Sequence, residues 1–136
     1  VVTESGNAKE EQAMASGKQI GEFSFKFTTF INSPGPAGDV LRQVTWEGPA
    51  TGFGTVFTTV TYSGSSKGGT FGEYATAFTD DGDFHHGIGR GTYESKGKHR
   101  WQTVSVIQLS DGRRISTEGE IDLASRSWKG KISEMS

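Results

Sequence analysis

The sequence predicts an all-β fold in which about eight antiparallel strands close into one meander barrel. From Gly21 onward, short runs rich in Phe, Val, Thr, Ile and Trp alternate with Gly, Pro, Asp, Asn and Ser clusters at roughly ten-residue intervals. Three tight-turn signals fix the register of the second half. About eight strands is also the number at which a meander can close around side chains or one small ligand. Two packed four-stranded sheets are the alternative architecture.

The chain length suits a single domain. Its 136 residues can form one hydrophobic core, and we divide them into a polar N-terminal arm, residues 1–19, and one barrel domain, residues 20–136. The first strand alternates phenylalanines with polar residues from Glu22 to Phe27, which predicts that one face is buried. In the third strand Val and Thr alternate so evenly that its inward face stays open.

Two hairpins carry three-residue loops, Asp80-Asp81-Gly82 and Ser110-Asp111-Gly112, each a type I turn followed by a left-handed glycine. A two-residue Asp-Gly turn is the competitor at each place. A shift of one residue moves every side chain to the other face, so the apolar pattern selects the three-residue loops. The pairs they predict are Phe78 with Phe84, Thr76 with His86, Tyr74 with Ile88, Ile107 with Ile115, and Trp101 with Ile121.

The two remaining hairpins of the second half complete the predicted register. A two-residue Lys96-Gly97 turn sets His86 beside Ile107 and Arg90 beside Thr103. A four-residue loop from Ala124 to Ser127 gives the pairs Leu123 with Trp128, Asp122 with Lys129, and Glu120 with Lys131. Opposite charges then meet on the outer face, in agreement with the apolar register.

Two polar side chains are predicted on the inner face, His86 and Arg90. A buried guanidinium needs a neutralising partner, and the acids of the last two strands point outward, so a ligand carboxylate is the candidate. We therefore predict His86 and Arg90 as catalytic or anchoring residues. The predicted ligand-binding residues beside them are Tyr74, Phe84, Trp101, Thr103 and Ser105. The structural alternative leaves Arg90 at the barrel mouth in water and His86 bonded to Thr76 or a carbonyl.

Glycines recur at alternate positions of the same strand, at Gly87, Gly89 and Gly91, which predicts that they share the outer face. Strong bending of the strand explains them. Val104 and Val106 beside them would form a modest apolar strip, so a homo-oligomer contact at this strip is a secondary hypothesis.

Composition bounds the function classes. A net charge of −2 gives no bulk reason to expect nucleic acid or an anionic membrane as partner, and no apolar run is long enough for a membrane helix, so we expect a soluble protein. With three histidines and no cysteine we expect no metal and no other cofactor. The absence of cysteine leaves the cellular compartment open.

The predicted strands, the polar arm, the late Asp-Gly hairpins and the aromatic interior over about residues 20–135 together resemble the allene oxide cyclase and dirigent type of barrel. The resemblance is architectural and transfers no catalytic residue. It implies an apolar small-molecule partner held in a productive conformation, with cyclisation or isomerisation achieved mainly by positioning. Within it, Arg90 would anchor an acidic or polar end and His86 would act as acid or base. A carrier of the lipocalin kind, or an oligomeric structural protein, is the alternative.

Overall fold

A computed structural model describes residues 16–135 as eight antiparallel strands in a closed barrel, as the sequence predicts. The strands are β1 (Ser16–Pro34), β2 (Val40–Ala50), β3 (Gly54–Gly64), β4 (Gly68–Phe78), β5 (Phe84–Gly97), β6 (Arg100–Leu109), β7 (Arg114–Asp122) and β8 (Ser127–Met135). Residues 1–15, most of the predicted arm, and residue 136 lie outside the described residues. The last four residues of the predicted arm, 16–19, belong to β1.

The long first strand closes the barrel because it pairs with both of its neighbours in the ring. The N-terminal part of β1 pairs with β8, for example Phe25 with Trp128, and its C-terminal part pairs with β2, for example Phe30 with Val44. Every strand therefore has two partners, and no edge is left to template aggregation. The two-sheet alternative is excluded for residues 16–135.

An aromatic cluster around Trp128 fills the middle of the barrel. The rings of Phe23, Phe25, Trp46 and Phe71 meet the Trp128 indole edge-on, with centroids 5.5 to 5.9 Å apart. Edge-to-face packing is favourable because the positive ring edge meets the negative ring face. The predicted alternation of the first strand is confirmed, since Phe23 and Phe25 are buried.

Tyrosines continue the core toward one end of the barrel. Tyr62 accepts a hydrogen bond from Trp46 Nε1 (3.1 Å), and its ring meets that of Tyr93 at 5.7 Å. The Tyr93 hydroxyl donates to the carbonyl of Ser65 (2.9 Å), in the loop between β3 and β4. Burial raises the pKa of Tyr62, so it stays a neutral phenol. We call this end, which the two tyrosine rings occupy, the closed end.

The two predicted three-residue hairpin loops are confirmed. Phe78 pairs with Phe84 across the β4/β5 turn, and Ile107 pairs with Ile115 across the β6/β7 turn. Gly82 and Gly112 take positive φ angles of 89° and 96°, which glycine adopts without the steric cost of a Cβ. Turn chemistry together with the apolar pattern therefore predicted these local registers correctly.

The β5/β6 hairpin differs from its prediction. The two-residue turn falls at Lys98 and His99, not at Lys96 and Gly97, and Lys96 forms a bulge between the pairs Ser95–Trp101 and Gly97–Arg100. Moving the turn by two residues would alone have shifted every partner by four positions, an even number that keeps the same residues inside. The unpaired bulge residue reduces this shift to three, which is odd, so the inner and outer faces exchange.

This exchange turns the predicted outer faces of β4 and β5 toward the core. Thr103 now faces Tyr93 and not Arg90, and Ile107 faces Gly89 and not His86. A Cβ built on Gly87, Gly89 or Gly91 would meet core side chains, so the glycine stripe lies on the inner face and the prediction of an outer stripe is wrong. The predicted oligomer strip beside it therefore does not exist in that form.

The register of the β7/β8 hairpin also differs from its prediction, but by an even number of residues. Ile121 pairs with Trp128 and the loop runs over residues 123–126, with Arg126 at a φ of 53°. The prediction that Leu123 faces Trp128 is wrong by two residues. Because the shift is even, Ile121 and Trp128 stay inside. Opposite charges still meet outside, where Lys129 pairs with Glu120 rather than the predicted Asp122, and Lys131 with Glu118 rather than Glu120.

Candidate functional site

A cavity of about 180 Å³ opens at the end of the barrel opposite the tyrosines. We call this the open end; the loops between β2 and β3, β4 and β5, and β6 and β7 surround it. The wall is mostly apolar. The apolar lining residues are Phe23, Phe25, Ala50, Phe53, Val56, Ala75, Ala77, Ile107, Leu109, Ile115, Trp128 and Ile132. Such a space suits an apolar molecule.

One carboxyl group, that of Glu73, is part of this apolar wall. Glu73 lies on β4 between Val60 of β3 and Gly89 of β5, and only 3% of its surface is exposed. Its Oε2 accepts a hydrogen bond from Thr58 Oγ1 (3.1 Å). Its Oε1 is buried and has no hydrogen-bond partner among residues 16–135. A buried acceptor left without a partner is costly, so it marks a place where a ligand group could bind.

The neighbouring glycine makes room for this side chain. A Cβ at Gly89 would lie 3.0 Å from Glu73 Cγ and 2.9 Å from Ile107 Cγ1, closer than side chains normally pack. The inward glycine of β5 therefore permits the carboxyl and the cavity to exist together.

Burial controls the acidity of Glu73. Removal from water disfavours the charged form and raises the pKa of Glu73 to about 7, while the Thr58 hydroxyl, which donates to Oε2, and the nearby Ser105 hydroxyl act in the opposite direction. A carboxyl with this pKa can both accept and donate a proton near neutral pH. Perturbed acids of this kind are common at functional sites.

Two of the predicted ligand-binding residues, Ser105 and Thr103, are buried inside the barrel. Ser105 is fully buried, hydrogen-bonds to Thr117 Oγ1 (2.5 Å) and contributes to the acidity of Glu73. Thr103 is also fully buried, and its hydroxyl accepts the Trp128 indole N–H (2.9 Å). Thr117 itself lines the cavity. Ser105 and Thr103 are therefore inside the barrel as predicted, although neither lines the cavity, and Ser105 lies near the Glu73 carboxyl that the sequence analysis missed.

Charged side chains surround the mouth of the cavity. Arg113 Nε lies 2.9 Å from Asp111 Oδ2, and the guanidinium lies over the Phe53 ring at 5.5 Å. The backbone N–H of Arg113 lowers the pKa of Asp111, and a hydrogen bond from Thr79 lowers that of Asp81. His85, on the inward side of β5, borders the cavity and makes a smaller electrostatic contribution that also lowers the pKa of both carboxylates. The mouth thus carries paired and partly compensated charges.

The inward orientation predicted for four residues is wrong. Tyr74 is 69% exposed and Phe84 53% exposed, both on the outer face. His86 borders the mouth, but its ring packs against Phe84 (5.4 Å) and its Nδ1 meets Thr76 Oγ1 (3.3 Å), so its pairing with Thr76 is as predicted. Arg90 lies between two inward glycines and so points outward. All four follow the exchange of faces caused by the bulge at Lys96.

Trp101, the remaining predicted ligand-binding residue, packs at the closed end and not at the cavity. Its indole N–H donates to the Ser66 carbonyl (2.8 Å), and its ring stacks on His99 at 6.4 Å. It therefore anchors the β3/β4 loop, and the structure does not bring it together with Glu73.

A signal for Glu73 was present in the sequence. Phe71, Ala75 and Ala77 alternate with it along β4, which places a carboxyl among apolar side chains on one face. The opposite face of β4 carries the larger apolar residues Tyr74 and Phe78, so apolar content alone selected the wrong face. The small glycines of β5 were the better indication, because they leave space inside for a longer partner.

In the described part of the chain, neither a metal site nor a membrane-spanning helix indicates a function, and no similar known protein does so either. Among residues 16–135, no group of three or more His, Asp or Glu is arranged to hold a metal ion. Within the same residues no helix is long and apolar enough to cross a membrane. No family model, no curated protein and no solved structure matches this chain.

Proposed function

We propose that this barrel binds a small, largely apolar molecule that enters at the open end and places a polar group at the Glu73 carboxyl. The observation that carries the proposal is the buried Glu73 Oε1 without a protein hydrogen-bond partner, in the wall of an otherwise apolar cavity. A ligand group that donates a hydrogen bond or carries a positive charge would complete it.

The volume of the cavity limits the size of this molecule. An engineered apolar cavity of about 150 Å³ holds benzene, and the cavity here measures about 180 Å³. A molecule with one ring, or a chain of similar bulk, fits the described space. A larger ligand would extend past the mouth toward Asp111 and Arg113.

The charges of the site favour a neutral or basic polar group. The acidic ligand end predicted from the sequence depended on an inward Arg90, which the structure places outside. Glu73 now lies in the wall, and the mouth carries Asp111 with Arg113 already paired to it. A carboxylate ligand would meet like charge at Glu73 whenever that group is ionised.

An isomerase or cyclase is the form of this function that we favour. A carboxyl with a pKa of about 7 can take a proton from one carbon of the substrate and return it to another, with no net change in protons or electrons. Thr58 and Ser105 would hold the carboxyl in position, and the apolar wall would align the substrate. The architectural resemblance to allene oxide cyclase and dirigent barrels points in the same direction and stays a prediction.

A non-catalytic carrier is the second candidate, and one observation favours it. Among the described lining residues, Glu73 is the only ionisable group deep in the cavity, while His85, His86, Asp111 and Arg113 lie at its mouth. No second acid or base therefore faces Glu73 from across the cavity, and the carboxyl could serve for binding alone.

The decisive experiment is native mass spectrometry of the purified protein, followed by denaturing extraction of any small molecule that remains bound. Ala77→Phe, which fills the cavity from its wall, is expected to lose the species, while Tyr74→Ser on the outer face retains it. Glu73→Gln separates the two candidates: a variant that binds but no longer converts the molecule indicates an isomerase or cyclase, and binding without conversion in either protein indicates a carrier. If neither the wild type nor any variant holds a molecule, the binding proposal is refuted.

A further inference from the structure

The outer face of strands β3 to β5 carries a contiguous group of exposed apolar side chains, which we call the aromatic face. Its members are Phe57, Tyr74, Phe78, Phe84 and Ile88, each between 41% and 69% exposed. The Phe78 ring contacts those of Phe57 and Phe84, with centroids 6.0 and 5.8 Å apart, and Tyr74 pairs directly with Ile88. The five side chains therefore form one surface across three neighbouring strands.

The aromatic face is comparable in area to the largest apolar patch of a typical monomer. At roughly 200 Å² for each side chain, the exposed fractions correspond to roughly 500 Å² of apolar surface. The largest contiguous apolar patch on a typical monomer measures about 300 to 600 Å² and is often a functional surface. A stable dimer buries about 800 Å² per partner, so this face supplies more than half of that area as an apolar centre.

The surroundings of the aromatic face fit a second copy of the same chain. The outward positions around it are mainly threonines, such as Thr55, Thr59 and Thr61 of β3, which can form a polar rim. The outward positions of the strand segments 55–61, 70–78 and 84–92 include no carboxylate. The ionisable side chains at these outward positions are His86 and Arg90. Two such faces can meet with little repulsion between like charges, whereas an acidic or basic partner would find little complementary charge.

The closed barrel also limits how two copies can associate. All eight strands are paired on both sides, so a second chain cannot add to a sheet edge and must dock face to face. We propose that two copies associate through their aromatic faces as a symmetric dimer, in which Phe84 and Ile88 of each copy become buried. The homo-oligomer hypothesis from the sequence thus moves from the glycine and valine strip to the opposite face of β5. It is independent of the cavity, which opens at the end of the barrel.

Sedimentation of the full chain over a hundredfold concentration range tests the proposal. We expect the wild type to be a dimer, and Phe84→Ser with Ile88→Ser to raise the dissociation constant at least tenfold. The matched control is Phe30→Ser with Ile31→Ser, which removes a comparably exposed Phe and Ile from β1 and should leave the dimer intact. If the double variant does not fold, as judged by circular dichroism, Tyr74→Ser alone provides the same comparison.

Three results would overturn the proposal. The wild type could be monomeric at every concentration, the aromatic-face variants could dimerise as tightly as the wild type, or the control pair could weaken the dimer equally. Cosedimentation of a monomeric wild type with lipid vesicles would assign the face to a bilayer and would also overturn it.

Discussion

The buried carboxyl of Glu73 predicts how the stability of the barrel depends on pH. Its pKa is about 7 in the folded protein and 4.5 in a solvated chain, so the folded state binds more protons between these values. Stability therefore falls as pH rises from about 4.5 to about 7, and it is constant with respect to this group above that window. Replacing Glu73 with glutamine removes the ionisation and should remove this slope.

The magnitude follows from the same two values. One pKa unit corresponds to about 1.36 kcal/mol, so the ionisation of Glu73 costs about 3 kcal/mol of unfolding free energy above pH 7. Glu73→Gln should accordingly be more stable than the wild type by a few kcal/mol at pH 8. The two proteins should agree within about 1 kcal/mol at pH 5, where the wild-type carboxyl is already protonated. The lowered pKa values of Asp81 and Asp111 act only below about pH 4 and do not overlap this window.

Urea unfolding at pH 5 and pH 8 measures the effect. The control is Glu118→Gln, the same chemical change at an exposed carboxylate opposite Lys131, which should keep the wild-type slope between the two pH values. Taking the difference between each variant and the wild type cancels the titration of groups they share. Equal pH dependence in Glu73→Gln and the wild type would refute the assignment of a buried, protonatable carboxyl in the cavity wall.

Three further predictions concern packing. Trp128→Ala removes the centre of the aromatic cluster and should cost about 3 to 5 kcal/mol in chemical denaturation. Gly91→Ala puts a Cβ 2.4 Å from Phe71 Cζ and should cost about 1 to 3 kcal/mol, whereas Gly72→Ala, with no contact closer than 4.0 Å, should change stability by about 0.5 kcal/mol or less. A fully stable Gly91→Ala would contradict the inward orientation of the stripe. Ala77→Phe should retain the fold, seen by circular dichroism, and lose at least tenfold in affinity for any ligand of the cavity.

Local turn chemistry explains which parts of the fold were predictable. Asp-Gly sequences at two hairpins allow a two-residue or a three-residue loop, and the apolar pattern selects the three-residue loop, which pairs Phe78 with Phe84 and Ile107 with Ile115. The alternation of β1 likewise identified Phe23 and Phe25 as core residues. Each of these inferences involves residues close together in the chain, where few alternatives compete.

The β5/β6 hairpin shows where this kind of inference ends. Lys96-Gly97 is a plausible turn by composition, yet the chain turns at Lys98 and His99 and places a bulge at Lys96. A single unpaired residue exchanges the inner and outer faces of both β4 and β5, because the β4/β5 turn fixes the register between these two strands. His86, Arg90, Tyr74 and Phe84 consequently leave the interior, and Glu73 enters it.

By itself the sequence determined the fold class, the strand count, the hairpin registers set by Asp-Gly turns, and the buried positions of Thr103 and Ser105. The tertiary structure decided which face of β4 and β5 closes on the core, because that choice depends on the packing of Phe71 against Trp128 and on the space left by Gly87, Gly89 and Gly91. It also decided the acidity of Glu73. A carboxyl acquires a pKa near 7 only when distant segments of the chain remove it from water, and no local pattern of residues encodes that enclosure.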